Sequence, residues 1–147
     1  MSSLDAPIVV DQIFEVSKSK LWNALTQIDE MRVWYFPMLD SFEAIIGFET
    51  KFTVRHEAYV FPHVWRVTEV VEQERIAYEW TFEGYAGKAV SSFELSHHSN
   101  GSILKMTNTT LEPFPNDIPA FKRESGVAGW KYLLQESLKN YLEGGAN

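Results

Sequence analysis

The stretch that decides the fold is IPAFKRESGVAGWKYLLQESLKNYLE, residues 118–143. Apolar residues recur in it at steps of three and four, which is the spacing of one face of an α-helix: Val127, Trp130, Leu134, Leu138 and Tyr141. Leu133 and Leu142 widen this face on its two flanks. A single long helix buries such a face only against another layer, and most of the preceding chain reads as strands. We therefore predict a curved sheet wrapped around one long C-terminal helix, with a cavity between them.

Upstream of this helix, several stretches alternate apolar and polar residues or are rich in β-branched residues, which is typical of strands. The predicted strands are residues 7–14, 42–46, 50–60, 63–72, 75–82, 89–96 and 103–111. Pro62 is expected to interrupt the chain between two of them. Asn100 and Gly101 form the kind of pair that makes a hairpin turn. Short turns between neighbouring strands favour an antiparallel meander.

Between the first two predicted strands the pattern changes to helical spacing. Ser17 is a candidate N-cap, and the apolar residues that follow share one helical face: Leu21, Trp22, Leu25 and Ile28. A second short helix follows before Pro37. The sequence thus predicts an α+β fold with a curved antiparallel sheet, two short helices and a long C-terminal helix. At 147 residues the chain is expected to form a single domain, 1–147, with its core at about 7–143.

The amino-acid composition argues against several classes of function for this chain. The net charge is −7 with no basic stripe, which disfavours binding to nucleic acid and to anionic membrane surfaces. There is no cysteine, so thiol catalysis and thiolate metal sites are excluded. The sequence contains no phosphate-binding glycine loop and no HExxH motif, and we expect neither a cofactor nor a metal. The N-terminus lacks the features of a signal peptide and no apolar run is long enough to span a bilayer, so we expect a cytoplasmic protein without membrane insertion.

Several local motifs resemble those of a known family. They occur in order along the chain: SKSKLWNALT (17–26) followed by Trp34, GFETKF (47–52), VTEVVEQERIAYEW (67–80), GSILKMTNT (101–109) and GWKYLLQESLKNYLE (129–143). They are similar to the "SPxxVWxALT…W", "GGxF", "VxEvxPxxrlxyxW", "GxTxLxLTH" and "GWxxxLxxLxxYLE" motifs of the START-like superfamily. The combination resembles the homologues of the activator of heat shock protein 90 ATPase, C-terminal-domain type, within the SRPBCC group.

The resemblance implies the helix-grip fold, in which the sheet and the C-terminal helix enclose a cavity. The chain departs from the family pattern at three places, one of which is the absence of the usual proline near Gln73. Phe48 stands where the family has a second glycine, and Asn108 stands where it has a histidine. Any role of that histidine in relatives therefore does not transfer to this chain.

The predicted cavity residues lie on the faces of strands and helices that we expect to point inward. They are Trp34, Phe52, Val54, His56, Trp65, Tyr78, Trp80, Phe93, Met106, Asn108, Gly126 and Trp130. His56 and Asn108 are polar positions among apolar neighbours, and each serves either as a ligand contact or as a hydrogen-bonded core residue. Gly126 either leaves room for the cavity or lets the helix backbone pack closely.

Three functions are compatible with this fold. The first, which we favour, is a protein that binds a small lipophilic or aromatic molecule between the helix and the sheet. The second is an enzyme of the cyclase, aromatase or hydrolase kind, with His56, Arg66 or Tyr78 as the acid–base group. The third is an interaction protein that stimulates the heat shock protein 90 ATPase, with the chaperone or a second copy of the chain as its partner. The sequence contains no recognisable set of catalytic residues.

Overall fold

A six-stranded antiparallel sheet forms one layer of the computed structural model, which describes residues 5–144. The strands are β1 (Ile8–Phe14), β2 (Glu49–His56), β3 (Tyr59–Val71), β4 (Arg75–Phe82), β5 (Lys88–His98) and β6 (Gly101–Glu112). Their order across the sheet is β1-β6-β5-β4-β3-β2. Strands β2 to β6 form the predicted meander, and β1 lies beside β6 at the opposite edge from β2. The predicted domain 1–147 also includes residues 1–4 and 145–147, which lie outside the described residues.

Two short α-helices, α1 (Lys18–Thr26) and α2 (Ile28–Trp34), connect β1 to the rest of the sheet. The predicted N-cap of α1 is confirmed, because the Oγ of Ser17 accepts a hydrogen bond from the backbone N–H of Lys20 at 3.2 Å. The apolar face of α1 is buried, with Leu21 fully covered. Both helices therefore pack on the same core as the sheet.

The C-terminal segment is helical, as predicted, but it is not one α-helix. A short 3₁₀ turn at Pro119–Phe121 precedes α3 (Arg123–Lys131), and two π-helical segments follow, Tyr132–Leu138 and Asn140–Gly144. The first residues of the stretch 118–143 lie outside α3. Lys122 has an extended backbone between the 3₁₀ turn and α3, which separates the two. We refer to residues 123–144 as the C-terminal helix.

The π-helical segments change which residues face the sheet. The buried row of the C-terminal helix is Trp130, Leu134, Leu138 and Leu142, at steps of four. Val127, Leu133 and Tyr141, which the α-helical pattern also placed at this face, are only half-buried. An α-helix has 3.6 residues per turn, so steps of four drift around it. The wider turns produced by i→i+5 hydrogen bonds turn the row the other way and offset this drift.

The predicted strand at residues 42–46 is not a strand. Phe42 is buried, and its ring lies 6.3 Å from that of Trp65, whereas Ile45 and Ile46 are exposed. The backbone here bonds locally, from the N–H of Phe48 to the carbonyl of Ile45 at 2.9 Å. One buried ring therefore anchors this segment as a loop, and no alternating face is formed.

Two further strand boundaries differ from the sequence prediction. The predicted strand at 50–60 ends at His56, because a turn at Glu57, with φ of 54°, reverses the chain and pairs His56 with Tyr59. Pro62 does not interrupt the next strand but lies within β3. A proline is tolerated there because only its carbonyl is used, which accepts a bond from the N–H of Glu83 at 2.9 Å.

The turn of the hairpin between β5 and β6 lies one residue earlier in the chain than predicted. His98 pairs with Gly101, so the turn residues are Ser99 and Asn100, and Ser99 adopts the positive φ of 47°. Gly101 is the first residue of β6, where a side chain would collide with the carbonyl oxygen of Phe14. The glycine is required by this close approach and not by the turn.

The interior contains two apolar clusters. The main core lies between the sheet and the helices and is built around Trp65, Tyr78, Phe93, Leu134 and Leu138. A smaller group at one end of the sheet, which we call the end cluster, consists of Phe61, Ala89, Phe114 and Phe121. Within residues 5–144, no helix is long and apolar enough to cross a membrane.

Candidate functional site

A cavity of about 340 Å³ lies between the main core and the end cluster. Its walls come from the end of β2, from β3 to β6, from the proline link (residues 113–122) and from α3. The lining residues are Val54, Arg55, His56, Phe61, His63, Trp80, Phe82, Ala89, Asn108, Phe114, Ala120, Phe121 and Trp130. This volume falls within the range of roughly 300–1,000 Å³ that is typical of small-molecule sites.

Aromatic rings form most of the wall that the proline link contributes. The ring of Phe121 lies 5.0 Å from that of Phe82, 5.3 Å from that of Phe61 and 5.4 Å from that of Phe114. Phe114 in turn packs on Gly87, where a Cβ would collide with its ring. These contacts hold the proline link against the ends of β3 and β4. They close one side of the cavity.

The opposite wall belongs to the main core. Trp80 on β4 and Trp130 on α3 meet edge to face, with their ring centroids 5.7 Å apart. Trp130 also lies 5.9 Å from the ring of Phe93, which is buried beneath the cavity. The helix thus contributes a ring to the cavity at its N-terminal end, while its later turns fill the space above the sheet with leucines.

His63 is a polar group in this wall that is held uncharged. Its exposed fraction is 7%, and its ring stacks on that of Phe52 at 4.7 Å. Burial lowers the pKa of His63 from 6.5 to about 3. The indole Nε1–H of Trp80 donates to its Nδ1 at 3.0 Å, so the neutral ring carries its proton on Nε2. At neutral pH His63 is therefore an uncharged member of the cavity wall.

Asn108 is the second polar group, and it is incompletely paired. Its side chain is 6% exposed, and its Nδ2 donates to the Oγ of Ser91 at 3.0 Å. Its Oδ1 has no hydrogen-bond partner within residues 5–144. A buried acceptor without a partner costs roughly 1–3 kcal/mol. Asn108 borders the cavity, but this oxygen is itself fully buried and does not face the open space.

A second polar cluster lies deeper, beneath the cavity. The hydroxyls of Tyr35 and Tyr78 share a hydrogen bond of 2.7 Å, and both side chains are buried. Burial raises the pKa of Tyr35 and of Tyr78 well above the usual value for a tyrosine. The Nε1 of Trp65, whose ring lies 4.7 Å from that of Tyr78, has no partner among the described residues. This cluster belongs to the packed interior and does not line the cavity.

All the predicted cavity residues except Gly126 fall into two groups. Those that line the observed cavity are Val54, His56, Trp80, Asn108 and Trp130. Those that are packed in the main core are Trp34, Phe52, Trp65, Tyr78, Phe93 and Met106. Gly126 is half-buried on α3 and is not part of the lining. The cavity is displaced toward one end of the sheet because the rings of the second group fill the space beneath the middle of the helix.

His56 was expected to point inward, but it does not. Its side chain is 69% exposed, and its Nε2 lies 3.5 Å from the Oε1 of Glu57. The reason is the early end of β2, because His56 is its last residue and lies beside the turn at the rim of the sheet. The buried histidine of the site is His63, on the neighbouring strand.

The sequence reasoning did not name most of the end-cluster side of the cavity. Phe61 and His63 continue the inward alternation of β3, which includes Trp65 and Val67. This alternation is present in the sequence, but Pro62 interrupts it with a residue that usually marks a break in a strand. Phe114 and Phe121 lie in the proline link, where no periodicity indicates which side chains are buried.

The three candidate acid–base residues do not come together. His56 is at the exposed rim, Arg66 is exposed on β3, and Tyr78 is in the main core. Of these, His56 alone lines the cavity. In the part of the chain that the structure describes, no group of three or more histidine, aspartate and glutamate side chains is arranged to hold a metal ion.

Solved structures share this fold. Protein CV1439 from Chromobacterium violaceum superimposes with a TM-score of 0.76 at 19% identity, over 93% of this chain and 96% of its own. Protein MLL2253 from Mesorhizobium loti gives a TM-score of 0.75 at 22% identity, over 97% of this chain and 100% of its own. The Aha1 dimer from Colwellia psychrerythraea gives 0.71 at 18% identity, over 97% of this chain and 100% of its own. At these identities the likeness concerns the fold alone.

The family is established by sequence. No curated protein sequence matches the chain. The model of the activator of Hsp90 ATPase homolog 1-like proteins matches residues 15–143, which include α1, α2, strands β2 to β6 and the C-terminal helix except its last residue, but not β1. The chain therefore belongs to the family of activator of Hsp90 ATPase homolog 1-like proteins, as its motifs indicated.

Proposed function

We propose that this protein binds a small lipophilic or aromatic molecule in the cavity between the main core and the end cluster. The observation that carries the proposal is the cavity itself, a space of about 340 Å³ with walls made mostly of rings. Rings offer large flat apolar surfaces, and a ligand ring gains edge-to-face and offset contacts with them. Such a ligand would contact both the main core and the end cluster, which lie on opposite sides of the cavity.

The distribution of polar groups supports the same class of ligand. The polar side chains at the exposed rim are Arg55 and His56, whereas the buried wall contains only His63 and Asn108 among its polar side chains. A pocket that is mostly apolar and has a few fixed polar groups is the usual form of a small-molecule site. The three acid–base candidates of the enzyme hypothesis lie apart, so the geometry supports binding over catalysis.

The direct test is native mass spectrometry of the protein purified from its own host, followed by thermal unfolding with a panel of aromatic and acyl compounds. We expect a co-purifying small molecule and a rise in the melting temperature. A ligand at about 100 times its Kd stabilises the folded state by about 2.7 kcal/mol, which corresponds to a rise of several degrees.

A variant that fills the cavity locates the effect. Ala89 is buried in the cavity wall, so Ala89→Phe should occupy the space and remove the ligand-induced rise. The matched control is Ala86→Phe in the exposed turn of the same hairpin, which should keep the rise. The proposal fails if no small molecule accompanies the protein and no compound in the panel changes the melting temperature.

A further inference from the structure

The apolar part of the cavity wall consists of rings and of small aliphatic side chains. The rings belong to phenylalanine and tryptophan residues, namely Phe61, Trp80, Phe82, Phe114, Phe121 and Trp130. The aliphatic members are all short, namely Val54, Ala89 and Ala120. Among the described residues that line the cavity, none is a leucine, an isoleucine or a methionine, whereas the main core contains all three types. The cavity wall therefore differs in chemistry from the rest of the interior.

The rings of this wall hold one another in place. The ring centroid of Phe82 lies 5.0 Å from that of Phe121 and 5.9 Å from that of Phe114. On the same strand, Trp80 lies 6.5 Å from Phe82, and it also meets Trp130. The contacts of the end cluster and those of the main core thus form one continuous ring wall. An aromatic side chain has few rotatable bonds, and a ring packed among other rings changes its rotamer only by displacing them, so this wall is stiff.

A stiff wall of rings distinguishes between apolar ligands of similar size. A flexible alkyl chain gains most from side chains that adapt to its shape, as methionine does, and it loses conformational freedom when it binds. A flat aromatic ring is already rigid, and its edges and faces complement those of the wall. The hydrophobic effect alone does not make this distinction, because it follows the buried apolar area.

We propose that the cavity selects a compact aromatic ring compound over alkyl chains and saturated rings of similar size, with the ring wall as the structure that determines this specificity. The inference rests on the proposed function and narrows its ligand class from lipophilic or aromatic molecules to aromatic ones. The cavity volume of about 340 Å³ equals that of roughly eleven molecules of liquid water, which suits a bicyclic compound. The ligand ring occupies the space bounded by Trp80, Trp130 and Phe121.

Matched compounds test the proposal on the wild-type protein. The probes are 2-naphthol, decahydro-2-naphthol and 1-decanol, which share the same number of carbons and one hydroxyl group but are an aromatic bicycle, a saturated bicycle and a flexible chain. Binding is followed by NMR through the indole N–H signals of Trp80 and Trp130, which line the cavity, with Trp22 outside the cavity as the internal reference. We expect 2-naphthol to bind about tenfold more tightly than decahydro-2-naphthol, because only the aromatic compound makes ring–ring contacts. We also expect 1-decanol to bind more weakly than 2-naphthol, although it is the most lipophilic of the three.

A variant assigns the preference to the ring wall. Phe121→Leu replaces one ring of the wall by a flexible alkyl side chain, so it should lower the preference for 2-naphthol over decahydro-2-naphthol by about threefold. The matched control is Tyr132→Leu, an exposed aromatic residue on the C-terminal helix, which should keep the wild-type preference. The comparison of probes on the wild-type protein needs no variant and stands even where Phe121→Leu does not fold.

The outcomes separate this inference from the function beneath it. Equal or tighter binding of decahydro-2-naphthol by the wild type overturns the inference, while the proposed function stands for lipophilic ligands in general. Tightest binding of 1-decanol overturns it in favour of an acyl-chain ligand. An unchanged preference in Phe121→Leu overturns the role of the ring wall. If none of the three probes shifts the indole signals, the inference is overturned, and the mass spectrometry and the wider panel of compounds then decide the proposed function by themselves.

Discussion

Burial decides the chemistry of single residues in this protein more than residue type does. His56 and His63 lie on neighbouring strands at the same cavity. The side chain of His56 is exposed, whereas His63 is buried, with an exposed fraction of 7%. The buried one stacks on Phe52, accepts a hydrogen bond from Trp80 and stays neutral. It therefore contributes an uncharged ring to the cavity wall.

The first prediction concerns the pH dependence of stability. Because the pKa of His63 falls from 6.5 to about 3 on folding, the unfolded chain takes up a proton that the folded one does not as the pH drops below 6.5. Stability is then present above pH 6.5 and is lost as the pH falls toward about 3. Between about pH 7.5 and about pH 5, this single group should lower the free energy of unfolding by about 2 kcal/mol.

Urea unfolding at these two pH values checks the prediction. His63→Gln keeps an acceptor for the Trp80 indole and removes the titrating group, so most of this loss should disappear. The matched control is His98→Gln at the exposed end of β5, which should retain the wild-type loss. An unchanged loss in His63→Gln would contradict the assignment.

At the scale of elements, the C-terminal helix is set by its contacts with the core. Its buried row follows steps of four from Trp130 to Leu142, which the two π-helical segments keep in line. The Oγ of Ser137 also donates to the carbonyl of Trp34 at 2.6 Å, and the hydroxyl of Tyr141 donates to Glu30 at 2.9 Å. These bonds fix the rotation of the helix relative to α2.

The second prediction compares two leucines that the α-helical pattern treats as equivalent flanks. Leu142 is 5% exposed and belongs to the buried row, whereas Leu133 is half-buried. Leu142→Ala should lower the free energy of unfolding by about 2–3 kcal/mol, and Leu133→Ala by less than about 1.5 kcal/mol, because the cost follows the buried volume that is removed. Chemical denaturation of the two variants measures the difference. Equal costs would indicate that the helix follows the α-helical pattern to its end.

At the scale of the whole molecule, the cavity divides the interior into parts of unequal size. The main core includes the helices and most of the sheet, while the end cluster attaches the proline link through Phe61, Ala89, Phe114 and Phe121. Smaller clusters with fewer buried contacts open at lower free energy than the core they adjoin. The proline link is therefore the part of the cavity wall expected to open first.

The third prediction tests this division by hydrogen exchange. Phe114→Ala removes a ring that packs on Gly87, so the amides of residues 116–122 should exchange faster while those of β4 and β5 remain protected. Phe93→Ala, in the main core, should instead destabilise the whole molecule by about 3–5 kcal/mol and speed exchange throughout. Faster exchange across the entire sheet in Phe114→Ala would show that the two clusters unfold together.

The local sequence pattern was sufficient to predict the strands and helices that are amphipathic over a long stretch. The alternation of residues 75–82 predicted β4 at its observed bounds, Arg75–Phe82, and the apolar spacing from Val127 to Leu138 predicted a helix packed on a sheet. Each such pattern depends only on one face being buried, which is a property of the segment itself. The order of these elements, with the motifs they carry, was enough to indicate the family.

The sequence by itself determined the layers of this protein: an antiparallel sheet, two short helices and a C-terminal helix. Only the tertiary structure decided where the cavity lies, because that depends on how much space is left unfilled by rings from elements far apart in the chain. It also decided that Phe42 anchors a loop, that Pro62 lies within a strand, and that His63 replaces His56 as the buried histidine. These outcomes follow from contacts between residues far apart in the chain, which no local pattern contains.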